Sequence, residues 1–322
     1  MKILVVATPR DHRGRLEELM NAAHTAARGR AAEIHLLGTG DNFDDATAQA
    51  AGADWVYRLS TPVSGSFYPD TLLDIVERAC VQLTPALLFL TGDTVGLQLA
   101  PRLAVRTKAA YISGCCGVEL AASGRLDFVR PIYGGKALEV LASAASLTVV
   151  TVKPKSFLNG ERRPAAAQVQ TLDISLTSPS GAITRVQVDA PEERVGPDLE
   201  HAPVIVSGGR GLGSAEGFAG LHRLAEILGG AVGASRAAVD AGWIASTFQV
   251  GQTGTTVAPD LYIAIGISGA VQHVAGIGAA RNIVAINTDE EAPIFGVANV
   301  GVVADYRGII PALIDELTEK TT

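Results

Sequence analysis

Residues 207–278 decide how the fold is read. SGGRGLGS (207–214), VGASRAAVDAGW (232–243), QVGQTG (249–254) and GISGAVQH (266–273) follow one another between short apolar runs such as VIV (204–206) and LYIAI (261–265). Of the chain's 35 glycines, 16 lie in these 72 residues, as many as in the first 201. Glycine costs chain entropy and is kept where backbone takes positive φ or approaches something closely. Short apolar runs that end in such turns read as buried parallel strands. Two explanations of the glycines stand side by side: turns that face a ligand, or a sheet that needs sharp strand-to-helix corners. The first turn has Gly209-x-Gly211 but Ser214 where a dinucleotide fingerprint has its third glycine, and no acid closes the second strand, AVGA (231–234), before Ser235-Arg236. A standard NAD-type site is therefore disfavoured.

Working outward, 322 residues suit two domains, each able to bury its own core. Hydrophobic residues at 48% and charged residues at 18% fit an ordered α/β protein. A net charge of −7 argues against a nucleic-acid partner, which demands a basic face. Only Lys320 of six lysines lies beyond His201, which excludes a phosphate-binding Gly-x-x-x-x-Gly-Lys loop from that half. Cys80 and the adjacent Cys115-Cys116 form neither a redox Cys-x-x-Cys pair nor a disulfide framework, and reduced, packed thiols are expected. His12, His24, His35, His201 and His222 show no metal spacing with cysteine or carboxylate. The chain opens on KILVVA (2–7) without a charged-then-apolar leader, and no apolar run reaches the roughly 18–20 residues of a membrane span. A soluble, cytoplasmic protein without membrane insertion is the expectation.

In chain order, KILVVA, IHLL (34–37), WVYRL (55–59) and ALLFL (86–90) alternate with helical patterns at 15–27, 44–51 and 70–83, which implies a parallel sheet covered on both faces. Beyond Tyr111 the runs GVEL (117–120), LDFVRPIY (126–133), ALEVL (137–141), LTVVTV (147–152), AQVQTLDI (167–174) and ITRVQV (183–188) have little room for helices between them. They read as antiparallel ribbons appended to the first sheet. Three prolines and a cluster of acids at 189–203 mark a stiff, solvated connector. The organisation is then an N-terminal α/β domain at 1–189, a linker at 190–202 and a C-terminal domain at 203–322. The last is a doubly wound parallel sheet whose ligands sit beyond the carboxyl ends of its strands.

The C-terminal motifs, continued by IVAIN (283–287), EAPIF (291–295) and VAD (303–305) and more loosely by RPIYGGKAL (130–138) upstream, stand in the order found in the α subunit of electron-transfer flavoproteins, which the chain closely resembles. The resemblance implies flavin adenine dinucleotide (FAD) in the C-terminal domain. It also implies a heterodimer whose β subunit contacts the N-terminal domain, and lobes that move relative to each other. Such a carrier takes electrons from flavoprotein dehydrogenases and passes them to a quinone oxidoreductase or a similar acceptor, with no small-molecule substrate of its own.

Each site residue has a plainer reading beside the functional one. Arg210 sits in a strand-to-helix turn, where free N–H groups favour anions and a guanidinium suits a pyrophosphate; otherwise it is a solvated arginine. The resemblance sets Ser235 on the phosphates and Arg236 over the flavin ring, where a cation favours added negative charge; an ion pair with Asp240 is the alternative. It brings Val250, Gly251, Gln252 and Thr253 to the ring, with the Thr253 hydroxyl at the flavin N5 atom; an ordinary polar turn is the alternative. Ser268, Gly269, Ala270, Val271, Gln272 and His273 open a helix, where Ser268 suits an N-cap. The resemblance puts His273 at the N1–C2 carbonyl edge, where an imidazolium would steady a reduced ring; a lone histidine also serves as a satisfied polar group in a core. Asn287, Asp305 and Tyr306 resemble contacts to the adenosine side, with a turn residue and a helix cap as simpler roles for the first two.

Overall fold

β1 (Lys2–Ala7) is buried at five of its six residues. Ile3, Val5 and Ala7 pack into one core while Leu4 and Val6 pack into another. That period of two means both faces of the strand are covered, as in the centre of a parallel sheet. The structure, a computed structural model, describes residues 1–8, 11, 13–40, 43, 52–63, 69–158, 160, 167–174, 198–200 and 202–321. The chain divides into two units, Met1–Val188 and Asp189–Thr322.

In the first unit, β2 (Glu33–Gly40), β3 (Trp55–Val63), β4 (Leu87–Thr91), β5 (Ala110–Cys115), β9 (Thr148–Val152) and β10 (Gln168–Leu172) join β1 in a sheet of order β10-β3-β2-β1-β4-β9-β5. Every pairing in it is parallel. Helix Arg13–Ala27 contributes Leu16, Leu19 and Ala23 to one face, and helices Pro69–Leu83 and Thr94–Thr107 cover the other. The sequence reading has no helix between Thr91 and Tyr111. Asp93 starts one there by accepting a hydrogen bond from the Gly96 amide at 2.9 Å, and Pro101 is accommodated inside it.

β6 (Gly117–Leu120), β7 (Leu126–Ile132) and β8 (Ala137–Ala142) form the expected antiparallel ribbon. The expectation fails for LTVVTV and AQVQTLDI, whose strands β9 and β10 belong to the parallel sheet. β9 is buried at all five residues, which only a strand covered on both faces can be. Parallel neighbours need a long crossover, and between β5 and β9 the ribbon itself supplies it in place of a helix. The helix expected at 44–51 and the strand at 183–188 lie outside the described residues. So does most of the connector expected at 190–202; Leu199 and Ala202 are buried in the C-terminal core. Cys80 and Cys115 are free and buried, and burial pushes both thiols up to about 12.

The second unit is a five-stranded parallel sheet: β11 (Val204–Gly208), β12 (Ala231–Ala234), β13 (Leu261–Ile265), β14 (Ile283–Asn287) and β15 (Val300–Val303), in the order β12-β11-β13-β14-β15. The chain winds one way from β11 to β12 and the other way from β13 onward, so the switch point falls between β11 and β13. Ile205 and Val206 point into opposite cores; helices Phe218–Ile227 and Tyr306–Thr321 serve one, and Ile277 of helix Val271–Ile277 the other. The last helix begins at Tyr306 and accommodates Pro311 inside it. Among the described residues, no helix is long and apolar enough to cross a membrane.

At the switch point two turns touch through backbone. The Gly209 amide donates to the Ile265 carbonyl at 2.8 Å and the Gly211 amide to the Gly266 carbonyl at 2.9 Å. A Cβ on Gly209 would lie 2.2 Å from the Gly266 oxygen. Gly209→Ala should therefore lower stability by roughly 1–3 kcal/mol, whereas Gly296→Ala, with open space around its site, should change it little; denaturant titration of both variants separates packing from a general effect of losing glycine.

Asp11 in the first unit accepts a 2.6 Å hydrogen bond from the Thr8 amide, yet burial raises its pKa to about 6. A carboxyl with a folded pKa above its unfolded one favours the fold below about pH 4, and that contribution is lost as the pH rises through about 6. The loss amounts to roughly 2–3 kcal/mol. Urea melts from about pH 4 to about pH 7 should show this decline in the native protein and a flatter profile in Asp11→Asn; equal slopes would exonerate Asp11.

Candidate functional site

The carboxyl ends of β11, β12, β13 and β14 converge on one side of the C-terminal sheet, and the turns beyond them enclose a cleft of about 560 Å³. Its size falls within the usual range for a small-molecule site. Each wall is tied to the next by main chain. The Ser235 amide donates to the Gly208 carbonyl at 2.9 Å, and the Val250 amide to the Ala234 carbonyl at 2.9 Å. The Gln252 amide reaches the Gln272 carbonyl at 2.7 Å, so the loop QVGQTG is fastened to the helix after β13. A Cβ on Gly276 would stand 2.4 Å from the Gly251 Cα, and that close approach requires glycine. Asn287 Nδ2 donates to the Ile267 carbonyl at 3.1 Å, and the Ile294 amide donates to the Ser268 carbonyl at 3.0 Å. The segment EAPIF thus supports the turn after β13 from behind.

Twelve of the sequence-derived residues line this cleft: Arg210, Ser235, Arg236, Val250, Gly251, Gln252, Thr253, Ser268, Ala270, Gln272, His273 and Asn287. Four do not. Gly269 is packed against the Ile294 backbone, and Val271 is exposed on the helix. The Asp305 carboxylate accepts from the Arg307 amide at 2.9 Å, so it caps the last helix. The Tyr306 hydroxyl donates to the Leu212 carbonyl at 2.9 Å, in a separate groove between the two helices on that face. Sequence reasoning missed Ala237, Asp240, Gln249, Ile267, Asp289 and Ala292, along with Gly211 and Gly266, as cleft walls. Each lies within a few residues of a recognised strand end or, for Gln249, in the recognised loop QVGQTG, which is the signal that would have found it.

Two cations and two anions face the opening. Among the described residues, the exposed Arg210 guanidinium has no ion-pair or hydrogen-bond partner. Arg236 does: its Nε donates to Asp240 Oδ2 at 3.2 Å, in a pair more than 60% exposed on both sides. Ser235 starts the short helix Arg236–Asp240, but its hydroxyl makes no cap; the oxygen is buried and unpartnered. Ser268 is not an N-cap either, since Ala270 occupies that position. Gln249 Nε2 donates to Thr253 Oγ1 at 2.9 Å, which holds the hydroxyl and leaves its own proton free to be donated.

His273 is only 7% exposed. Its Nε2 lies 2.9 Å from the Tyr262 hydroxyl, while Nδ1 has no hydrogen-bond partner. Burial pushes its pKa down to about 4, against a smaller opposing pull from the Val250 carbonyl. The expected imidazolium gives way to a neutral ring, because charging it so far from water is costly. Among the described residues no group of three or more His, Cys, Asp or Glu side chains is placed to hold a metal ion.

Comparisons with known proteins identify the family. Residues 198–278 match the family model described as "Electron transfer flavoprotein FAD-binding domain", and residues 4–177 match "Electron transfer flavoprotein domain". The chain is 36% identical to the electron transfer flavoprotein subunit alpha of Bacillus subtilis, over 99% of this chain and 98% of that one. It is also 36% identical to the subunits of the same name from Thermoanaerobacterium thermosaccharolyticum, covering 93% of this chain and 92% of that one, and from Mycobacterium leprae, covering 94% and 93%. With both of its halves matched and relatives alike from end to end, the chain belongs to the electron transfer flavoprotein α-subunit family.

Proposed function

We propose that this chain is the FAD-holding half of a heterodimer with a β subunit, an electron carrier between flavoprotein dehydrogenases and a quinone oxidoreductase or similar acceptor. FAD supplies one- and two-electron redox chemistry when bound. The observation that carries the reading is the buried, unpartnered Ser235 hydroxyl on the wall of a cleft at the switch point. A buried hydroxyl without a partner is costly unless a ligand completes it. The unpaired Arg210 beside it suits a diphosphate, and the exposed Arg236, Thr253 and the His273 edge suit a polar ring system. The family model covering most of these residues is that of an FAD-binding domain.

The residues divide the work by their chemistry. Arg210, Ser235 and the turn at Ser268 hold the anionic part. The Thr253 hydroxyl, oriented by Gln249, donates at a fixed place. Arg236 contributes positive charge, moderated by Asp240 and by water. His273 offers an N–H from a neutral ring and so biases the site without carrying charge into the core. No group among these is placed to act as a substrate base, which favours a carrier over an enzyme with its own small-molecule substrate. In the same reading the N-terminal unit provides the contact with the β subunit, and Asp305 and Tyr306 serve the adenosine end from beyond the cleft.

Co-expression with a β subunit, followed by purification and extraction of the cofactor, tests the reading directly: a yellow complex containing FAD in the C-terminal cleft is expected, and a colourless complex, or flavin bound only by the partner, overturns it. Ser235→Ala should leave thermal stability unchanged or slightly higher and weaken FAD retention roughly tenfold or more, the worth of a hydrogen bond to a charged group, as measured by flavin release on dilution. Arg236→Ala should keep FAD bound and lower its midpoint potential. An exposed charge is worth about 1 kcal/mol, or about 40 mV for one electron, and a redox titration reads the shift.

A further inference from the structure

Tyr262 lies at the start of β13, completely buried among Ile205, Ile283 and Ile277. A phenol in such a place needs a partner for its hydroxyl, and the partner is His273 Nε2 at 2.9 Å. The two residues are eleven positions apart, one on the central strand and the other on the helix that lines the cleft.

The pair has a direction. Burial pushes the phenol pKa above its usual range, so the hydroxyl keeps its proton and must give it to an acceptor. The Ser207 hydroxyl offsets a little of that shift but makes no hydrogen bond that meets the usual geometry. The acceptor that remains is Nε2. A neutral imidazole that accepts at Nε2 carries its proton on Nδ1. The Val250 carbonyl near the ring can only accept, and it favours a protonated ring over a bare one without meeting the hydrogen-bond geometry at Nδ1.

We infer that Tyr262 is a positioning residue, whose buried hydroxyl fixes His273 as the Nδ1–H tautomer and so presents a hydrogen-bond donor, not an acceptor, on the wall of the cleft. The inference rests on the reading that the cleft takes FAD only for its consequence: a donor at that edge complements an electron-rich carbonyl, while an acceptor would repel it. Tyr262 touches neither cofactor nor acceptor and acts through His273 alone.

The test is long-range 15N–1H correlation spectroscopy on the αβ complex, with histidine labelled with 15N, before and after FAD is removed. In the native complex His273 should give the Nδ1–H pattern, with Nε2 at the shift of an unprotonated, hydrogen-bonded nitrogen. In Tyr262→Phe the Nε2–H pattern should gain population. An Nε2–H pattern in the native complex overturns the inference outright, and needs no variant to fold. An unchanged pattern in a folded Tyr262→Phe complex overturns it equally. Should the flavin reading alone be wrong, the signature differs: His273 shifts stay the same on removal of FAD, while the tautomer still follows Tyr262.

Discussion

Close contact between glycine backbones at the strand ends is the constraint on which the C-terminal unit depends. Gly209 and Gly211 meet Gly266, and Gly251 meets Gly276, at distances that no Cβ would allow. Through these contacts the turn after β11 rests on the turn after β13, and the loop at 249–254 rests on the helix that follows. Main-chain hydrogen bonds lock the same surfaces. The cleft walls are therefore placed by backbone, which varies little in position, and the side chains that project from them start from fixed points. Preorganisation of this kind removes ordering entropy from ligand binding.

Placement by backbone lets the cleft separate two kinds of polar group. Arg210, Arg236 and Asp240 stand in water, where charges are cheap and weak. Ser235 and His273 stand inside, where polar groups are costly and each hydrogen bond counts for more. Tyr262 belongs with the second kind, since its hydroxyl is satisfied only through His273. The outer charges set a broad field and the inner groups set geometry, so a change in one kind need not disturb the other.

Much of this arrangement was legible in the sequence, for a physical reason. Turns that touch through backbone demand glycine, and glycine at such density is visible without any structure. Of the two explanations of the glycines, turn-to-turn packing accounts for Gly209 and Gly276, while Gly211, Gly251 and Gly266 both pack on a neighbouring turn and line the cleft. Arg236 makes the ion pair with Asp240 that was its plainer reading, and it also lines the cleft. The charge of His273 was not legible, because burial depends on Tyr262, Val250 and helix Val271–Ile277 meeting around it. In the N-terminal unit the sequences of β9 and β10 read as ribbon because no helical pattern precedes them, and a stretch of sequence does not reveal that an antiparallel ribbon can serve as the crossover into β9. The helix at Thr94–Thr107 was hidden by Pro101 and by a glycine in its first turn.

The exposed pairing of Arg236 with Asp240 makes the field over the cleft sensitive to the surrounding electrolyte. Mobile ions screen such charges within about 8 Å at physiological strength. In dilute buffer Asp240 cancels more of the guanidinium and the arginine itself acts further; in concentrated salt both effects shrink together. The buried Ser235 and His273 are shielded from those ions by the protein around them. The cleft's outer electrostatics thus respond to the medium, while its inner hydrogen bonds stay the same from one ionic strength to another.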